Sequence, residues 1–197
     1  MMNFLEIRLR RAFADRFVLI AMMLIVAKPL LAADLLPPAV GDEAPEFSLK
    51  SMEGTSIKRS VLNQKGAVVL VVLRGYPGYQ CPLCSRQVGE LLKRAKDFKD
   101  ADARVVLVYP GPSERLLDRA KEFMGTRTIP DHFSLVLDPD YKFTNDYHLR
   151  WDAPGETAYP SAFVIGQDGR VQFALVSKTH GGRAKATDLL KVLAANK

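Results

Sequence analysis

The chain has 197 residues, 48% hydrophobic and 25% charged, with a formal net charge of +6. The length suits one domain with room for a real core, and the composition reads as globular. Five of the cations but only two of the carboxylates lie in residues 1–33. The remainder is therefore only mildly basic and has no basic run interleaved with aromatics, which argues against nucleic-acid binding.

Residues 1–33 have the pattern of an export signal. A basic stretch, Arg8 to Arg16, precedes an apolar core, Phe17 to Ala27, and small residues follow at Ala32 and Ala33. The core is shorter than the ~20 residues that span a bilayer. Lys28 and Pro29 interrupt it, and Leu31 stands where a small residue is expected before a cut at Ala33. The alternative to a cleaved signal is a retained N-terminal anchor, a membrane tether. Both place the rest of the chain outside the cytoplasm, in a periplasmic or other extracytoplasmic space.

Residues 34–45, with Pro37, Pro38 and Pro45, read as an extended lead-in to a domain over 46–197. Phe47 to Leu49 and Thr55 to Lys58 form a hairpin around Glu53-Gly54, and Ser60 caps a helical turn through Leu62. Ala67 to Leu73 is a continuous Val/Leu run, which predicts a strand buried on both faces. A Gly/Pro-rich loop, Arg74 to Gln80, leads to a helix over Pro82 to Phe98 with Val88, Leu91, Leu92, Ala95 and Phe98 on one stripe. Arg104 to Tyr109 is a second buried strand, ended by Pro110-Gly111-Pro112. Ser113 is the expected N-cap of a helix with Leu116, Leu117, Ala120 and Phe123 on its apolar face. Phe133 to Leu137 reads as a strand, and Asp138-Pro139 opens a short helix to Tyr147. Ala162 to Ile165 and Arg170 to Val176 form a hairpin about Gln167-Asp168-Gly169, and a helix over Ala184 to Ala195 closes the chain. The order predicts an α/β fold, a mixed sheet flanked by helices on both faces, with no internal repeat and no second domain.

The two cysteines, Cys81 and Cys84, are the only ones, and they fall at the junction of a strand–loop unit with a helix. A bridge across so short a loop removes little unfolded-state entropy, so the pair is a poor staple. A c-type haem site needs His after the second cysteine, and position 85 is Ser; a structural zinc site needs four ligands, and no second Cys/His pair exists. A redox role remains, with a non-enzymatic soft-metal (copper) chaperone, using the two thiolates and His180, as the alternative. Cys81 meets the positive end of the helix, which favours its thiolate. It is the candidate nucleophile, and Cys84 the resolving thiol. Pro82 and Leu83 are expected to leave the first sulfur exposed.

This order, with CxxC before the helix and Tyr159-Pro160 just before a later strand, resembles a thioredoxin fold. Gly41-Asp42-Glu43-Ala44-Pro45-Glu46-Phe47-Ser48-Leu49, followed by Gly54, resembles the opening of the alkyl hydroperoxide reductase and thiol-specific antioxidant (peroxiredoxin-like) superfamily. Phe163-Val164-Ile165-Gly166 with Asp168-Gly169 resembles its later hairpin. The resemblance runs from about Ala39 to Ala195. It implies a thioredoxin fold with an N-terminal β-hairpin extension and an antioxidant thiol oxidoreductase that needs no bound cofactor or metal. Its substrate would be a protein disulfide or dithiol, or a peroxide, and a separate thiol would serve as reductant. It also implies a cis bond at Pro160, facing Cys81 and leaving the carbonyl before it free for a bound peptide. The loop Ser177 to Arg183 would border the site, so that His180 or Arg183 stabilises the thiolate or selects an acidic partner; Arg74, Trp151 and Tyr159 are further rim candidates. Three positions depart from the peroxiredoxin pattern: Arg74 and Gly78 stand where Pro and Thr are expected before the peroxidatic cysteine, and Pro160 stands where an Arg is expected. The catalytic loops are thus closer to a thioredoxin than to a peroxidase.

Overall fold

The central element is the strand β3 (Ala67–Val72), paired parallel to β4 (Ala103–Gly111) and antiparallel to β6 (Ser161–Ile165). In the computed structural model, which describes residues 36–196, seven strands form one mixed sheet in the order β2-β1-β5-β4-β3-β6-β7. The others are β1 (Ser48–Ser51), β2 (Ser56–Lys58), β5 (Phe133–Pro139) and β7 (Val171–Val176). The helices are α1 (Arg59–Asn63), α2 (Pro82–Lys93), α3 (Ala95–Asp100), α4 (Leu116–Met124), α5 (Lys142–Asp146) and α6 (Ala186–Ala195). This is the helix-flanked thioredoxin fold, and the N-terminal hairpin joins its edge by pairing β1 antiparallel to β5. Residues 1–33, with the expected signal or anchor, lie outside the described residues.

The side-chain alternation of β3 explains its unbroken apolar run. Val69, Val71 and Leu73 face one core layer with α2, α3, α4 and α6; Val68, Leu70 and Val72 face a second with Phe47, Phe143 and Tyr147. Cys81 and Cys84 belong to the first layer, alongside Ala162 of β6.

Several boundaries differ from the sequence reading. The helix expected over Pro82 to Phe98 breaks at Arg94, and α3 follows as a separate helix. Ser113 is not an N-cap: α4 starts after Arg115, which is left-handed (φ 57°), with no side-chain cap. Ser113 instead donates its N–H to Asp140. β4 runs on through Pro110, because that residue is asked only for its carbonyl, which accepts from Tyr76 N–H at 3.2 Å. The short helix after β5 starts at Lys142 rather than Asp138; the buried Asp138 carboxylate instead receives the N–H groups of Phe143 and Thr144.

The loop entering the cysteines is fixed by a close approach. Gly75 has φ +72°, and a Cβ there would lie 1.8 Å from the Pro110 carbonyl oxygen. Backbone rather than a movable side chain blocks the space, so the β3–α2 loop must shift or β4 must open. Gly75→Ala is expected to lower unfolding free energy by about 2 kcal/mol or more in denaturant titration, whereas Gly89→Ala, with open space around it, is expected to be neutral or stabilising.

Candidate active site

Cys81 is the N-cap of α2. Its backbone is extended (φ −75°, ψ 113°), Pro82 occupies the first turn, and its sulfur accepts the Cys84 N–H at 3.4 Å. A sulfur thus does what a Ser or Asp oxygen does at other caps, and the helix N-terminus places its positive end on it. Arg183 points Nη2 at the same sulfur from 3.8 Å. The Cys84 sulfur lies deeper and accepts the Arg74 N–H at 3.3 Å. Both cysteines are free thiols.

These contacts drive the two thiols apart in acidity. The hydrogen bond from the Cys84 thiol is the largest effect on Cys81. Together with the Cys84 and Leu83 N–H groups and the Arg183 charge, it overcomes burial and pulls Cys81 down to about 5. The same hydrogen bond, with burial, pushes Cys84 well above the ordinary thiol range. At neutral pH the pair is therefore one thiolate and one thiol, the state needed for attack at Cys81 followed by resolution from Cys84.

The exposure expected for the first sulfur is not seen. Cys81 is only 3% exposed, because it sits in the first core layer and Arg183 lies against its sulfur. It opens into a cleft of about 520 Å³ between the start of α2 and the end of α4, lined among others by Gln80, Pro82, Ser85, Phe123 and Arg127. Gln80 is held in place there by Tyr109 Oη at 2.8 Å and by the Arg119 carbonyl at 2.9 Å.

The remaining candidates occupy a wall beside the thiols. Arg74 is buried, and its guanidinium turns away from the sulfurs: Nε meets Glu156 at 2.7 Å, Nη2 meets the Gly155 carbonyl at 2.7 Å, and Nη1 meets Tyr79 Oη. Only its backbone N–H serves the site. His180 likewise directs Nε2 to Glu156, at 2.9 Å, and not to Cys81; its contribution is its carbonyl, which accepts from Arg183 Nε at 3.0 Å. Burial pushes the Glu156 carboxyl up, but the hydrogen bonds from Arg74 and His180 outweigh it and hold it below the ordinary range. Trp151 stacks on Tyr159 (4.9 Å, 14°) and packs against His180 at 5.1 Å, and Lys178 covers the Tyr159 ring at 4.8 Å.

Pro160 immediately precedes β6, as expected, but no cis bond occurs among the described residues. The preceding carbonyl, of Tyr159, is not free either, since it accepts the Ser161 hydroxyl at 2.8 Å; the Pro160 carbonyl accepts Ser177 N–H at 2.9 Å. Pro160 therefore sets the start of β6 and ties it to the Arg183 loop. One further residue of the site carries no motif in the sequence. Gln87 is buried on α2, accepts from Arg183 Nη1 at 3.0 Å and donates to the Ala184 carbonyl at 3.3 Å. Its position three after Cys84, on the buried stripe with Val88 and Leu91, was the available signal. Among the described residues no three His, Cys, Asp or Glu side chains converge for a metal, and His180, the third ligand of the chaperone alternative, bonds Glu156 instead.

Alkylation of the reduced protein by iodoacetamide should rise with pH about a midpoint near 5 and then level off, because the reactive thiolate forms as pH climbs through the Cys81 value. Removing the neighbouring cation disfavours the thiolate, so Arg183→Ala should shift that midpoint upward and slow alkylation at pH ~5 roughly 3–10-fold. An unmoved midpoint would show that Arg183 does not act on the sulfur.

Known proteins resemble this chain in sequence and fold. Rv2521 of Mycobacterium tuberculosis strain H37Rv, named for the peroxiredoxins, is 28% identical over 143 residues, covering 68% of this chain and 82% of that protein. The thiol-disulfide oxidoreductase ResA of Halalkalibacterium halodurans is 24% identical over 139 residues, covering 71% of this chain and 69% of that one. The crystal structure of peroxidoxin BcpB from Mycobacterium tuberculosis superposes with a TM-score of 0.65 at 23% identity, over 81% of this chain and 99% of that one, and shows the shared fold. The AhpC/TSA family model matches residues 40–174, and the chain, a thiol-based oxidoreductase, belongs to the AhpC/TSA family.

Proposed function

We propose that this oxidoreductase works by dithiol–disulfide exchange, with Cys81 as nucleophile and Cys84 as resolving thiol. The observation that carries the reading is the split acidity of the pair: a stabilised thiolate at the helix cap beside a buried, protonated thiol. The Cys81 thiolate attacks one sulfur of a substrate disulfide, forming a mixed disulfide and releasing the first substrate thiolate. Cys84 then loses its proton to that leaving group or to water and attacks Cys81 sulfur, releasing the second thiol. Two electrons pass to the substrate, the Cys81–Cys84 disulfide forms, and a separate thiol reductant restores the dithiol. Arg183 holds the attacking thiolate.

Peroxide reduction at Cys81 is the second reading. It is favoured by Arg183, whose guanidinium beside the sulfur supplies the positive charge that a peroxiredoxin places on another residue. Against it stand Arg74 and Gly78 in the loop before Cys81.

The pattern of residues 1–33 supports work outside the cytoplasm, free of the chain's leader or tethered by it. Sequencing the mature N-terminus tests this: a start near residue 33 indicates export with cleavage, and a Met1 start in the soluble cytoplasmic fraction would contradict export.

Cys81→Ser should lose turnover with a disulfide substrate by roughly 10³-fold or more, since no other thiol reaches the substrate. Cys84→Ser should retain the first step and accumulate a mixed disulfide, read as an added substrate mass on the peptide containing Cys81. Full activity in Cys81→Ser would overturn the assignment.

A further inference from the structure

The charges around Cys81 do not cancel. All the donors Arg183 uses, apart from the one aimed at the sulfur, are taken by neutral acceptors, the His180 carbonyl and Gln87 Oε1, each at 3.0 Å. In the cleft onto which Cys81 opens, Arg127 is held in the same way. It donates to the carbonyls of Phe123 at 2.6 Å and Met124 at 3.4 Å, and to the Ser85 hydroxyl. These bonds fix both guanidinium groups without neutralising either.

A second, smaller cleft of about 130 Å³ continues from Arg183 along α2, and Arg86, Glu90 and Lys185 line it. Arg86 and Lys185 are exposed, and among the described residues neither forms an ion pair. Four cations thus line the two clefts, Arg127 beside Cys81 in the first and Arg86, Arg183 and Lys185 in the second. The carboxylates lining the two clefts are Glu90 and Glu122, and Glu122 is taken by Arg119 at 2.9 and 3.0 Å. This charge goes beyond what the thiolate needs, since Arg183 alone touches the sulfur. The excess faces the two clefts open to a substrate, the second of which borders the thiol at Arg183.

We propose that the disulfide substrate is a low-molecular-weight, carboxylate-bearing disulfide, whose negative end sits beside Cys81 against Arg183 and the Arg86–Lys185 cleft. The inference rests on the disulfide-exchange reading and names its substrate class. The recessed sulfur excludes a disulfide held flat in a protein surface, and the small second cleft admits a carboxylate arm rather than a folded partner. The chemistry is unchanged. Cys81 thiolate displaces one carboxylate-bearing thiolate, Cys84 displaces the other, and two electrons leave the protein as two anionic thiols. An opposite charge at the cleft raises local substrate concentration and accelerates encounter, an effect that weakens with ionic strength.

The test uses the reduced full chain and three small disulfides: dithiodiglycolate (anionic), hydroxyethyl disulfide (neutral) and cystamine (cationic). For each, the rate of the double variant Arg86→Glu/Lys185→Glu is divided by that of the wild type, which cancels differences among the leaving thiols. Both side chains are exposed and unbonded, so the fold should persist. The ratio should fall roughly tenfold for dithiodiglycolate, stay within about twofold for hydroxyethyl disulfide, and rise for cystamine, with the contrast fading in high salt. The same ratio for all three probes would overturn the proposal. Failure of the wild type to react with any of them, alongside rapid consumption of hydrogen peroxide, would instead overturn the exchange reading beneath it.

Discussion

The site depends on a sulfur placed at the N-terminus of a helix. Cys81 caps α2 by accepting the Cys84 N–H, and this single contact settles three things together. It sets where the helix starts, it points the helix N-terminus at the reactive atom, and it brings Cys84 one turn further along the same chain. Arg183 adds a full charge from a loop over a hundred residues away. The helix end alone contributes a partial charge that acts only within its first turn, whereas burial opposes the thiolate. The balance falls to the thiolate because Cys84, the helix end and Arg183 act on the same atom.

Arg183 can do this only if its loop stays in place, and Glu156 explains how it does. The carboxylate joins Arg74, at the start of the cysteine loop, to His180, whose carbonyl holds Arg183. Arg74 and Glu156 are both nearly buried, with side chains 4% and 12% exposed. Removing one partner of such a pair leaves an uncompensated buried charge and costs about 3–5 kcal/mol. The exposed Arg94–Asp97 pair is of a kind that contributes about 0–1 kcal/mol. Glu156 therefore serves the thiol pair without touching it. Trp151 and Tyr159 stiffen the same wall by stacking.

Local chemistry made much of this readable. The Val/Leu run of β3 reveals its double burial because every side chain on both faces must be apolar, and the spacing of Cys81 and Cys84 with Pro82 between them marks a helix start. What the sequence hides depends on distant partners. Arg74 has the composition of a surface charge, and its ionic partner, Glu156, lies eighty-two residues later. His180 looks like a thiolate partner, yet the same carboxylate captures its ring. The Ser113 N–H is likewise taken by a carboxylate far along the chain, that of Asp140. Pro160 stands where the thioredoxin pattern puts it, but its geometry answers to Ser161 and Ser177.

The proposed chemistry makes the Cys81–Cys84 pair selective for disulfides over peroxide. Stopped-flow mixing of the fully reduced protein with a low-molecular-weight disulfide and, separately, with hydrogen peroxide at equal concentration tests it most directly, with thiol loss followed in both. Faster loss is expected with the disulfide, with two thiols disappearing per chain and a Cys81–Cys84 bridge as the product. Rapid loss with peroxide and slow loss with the disulfide would contradict that selectivity.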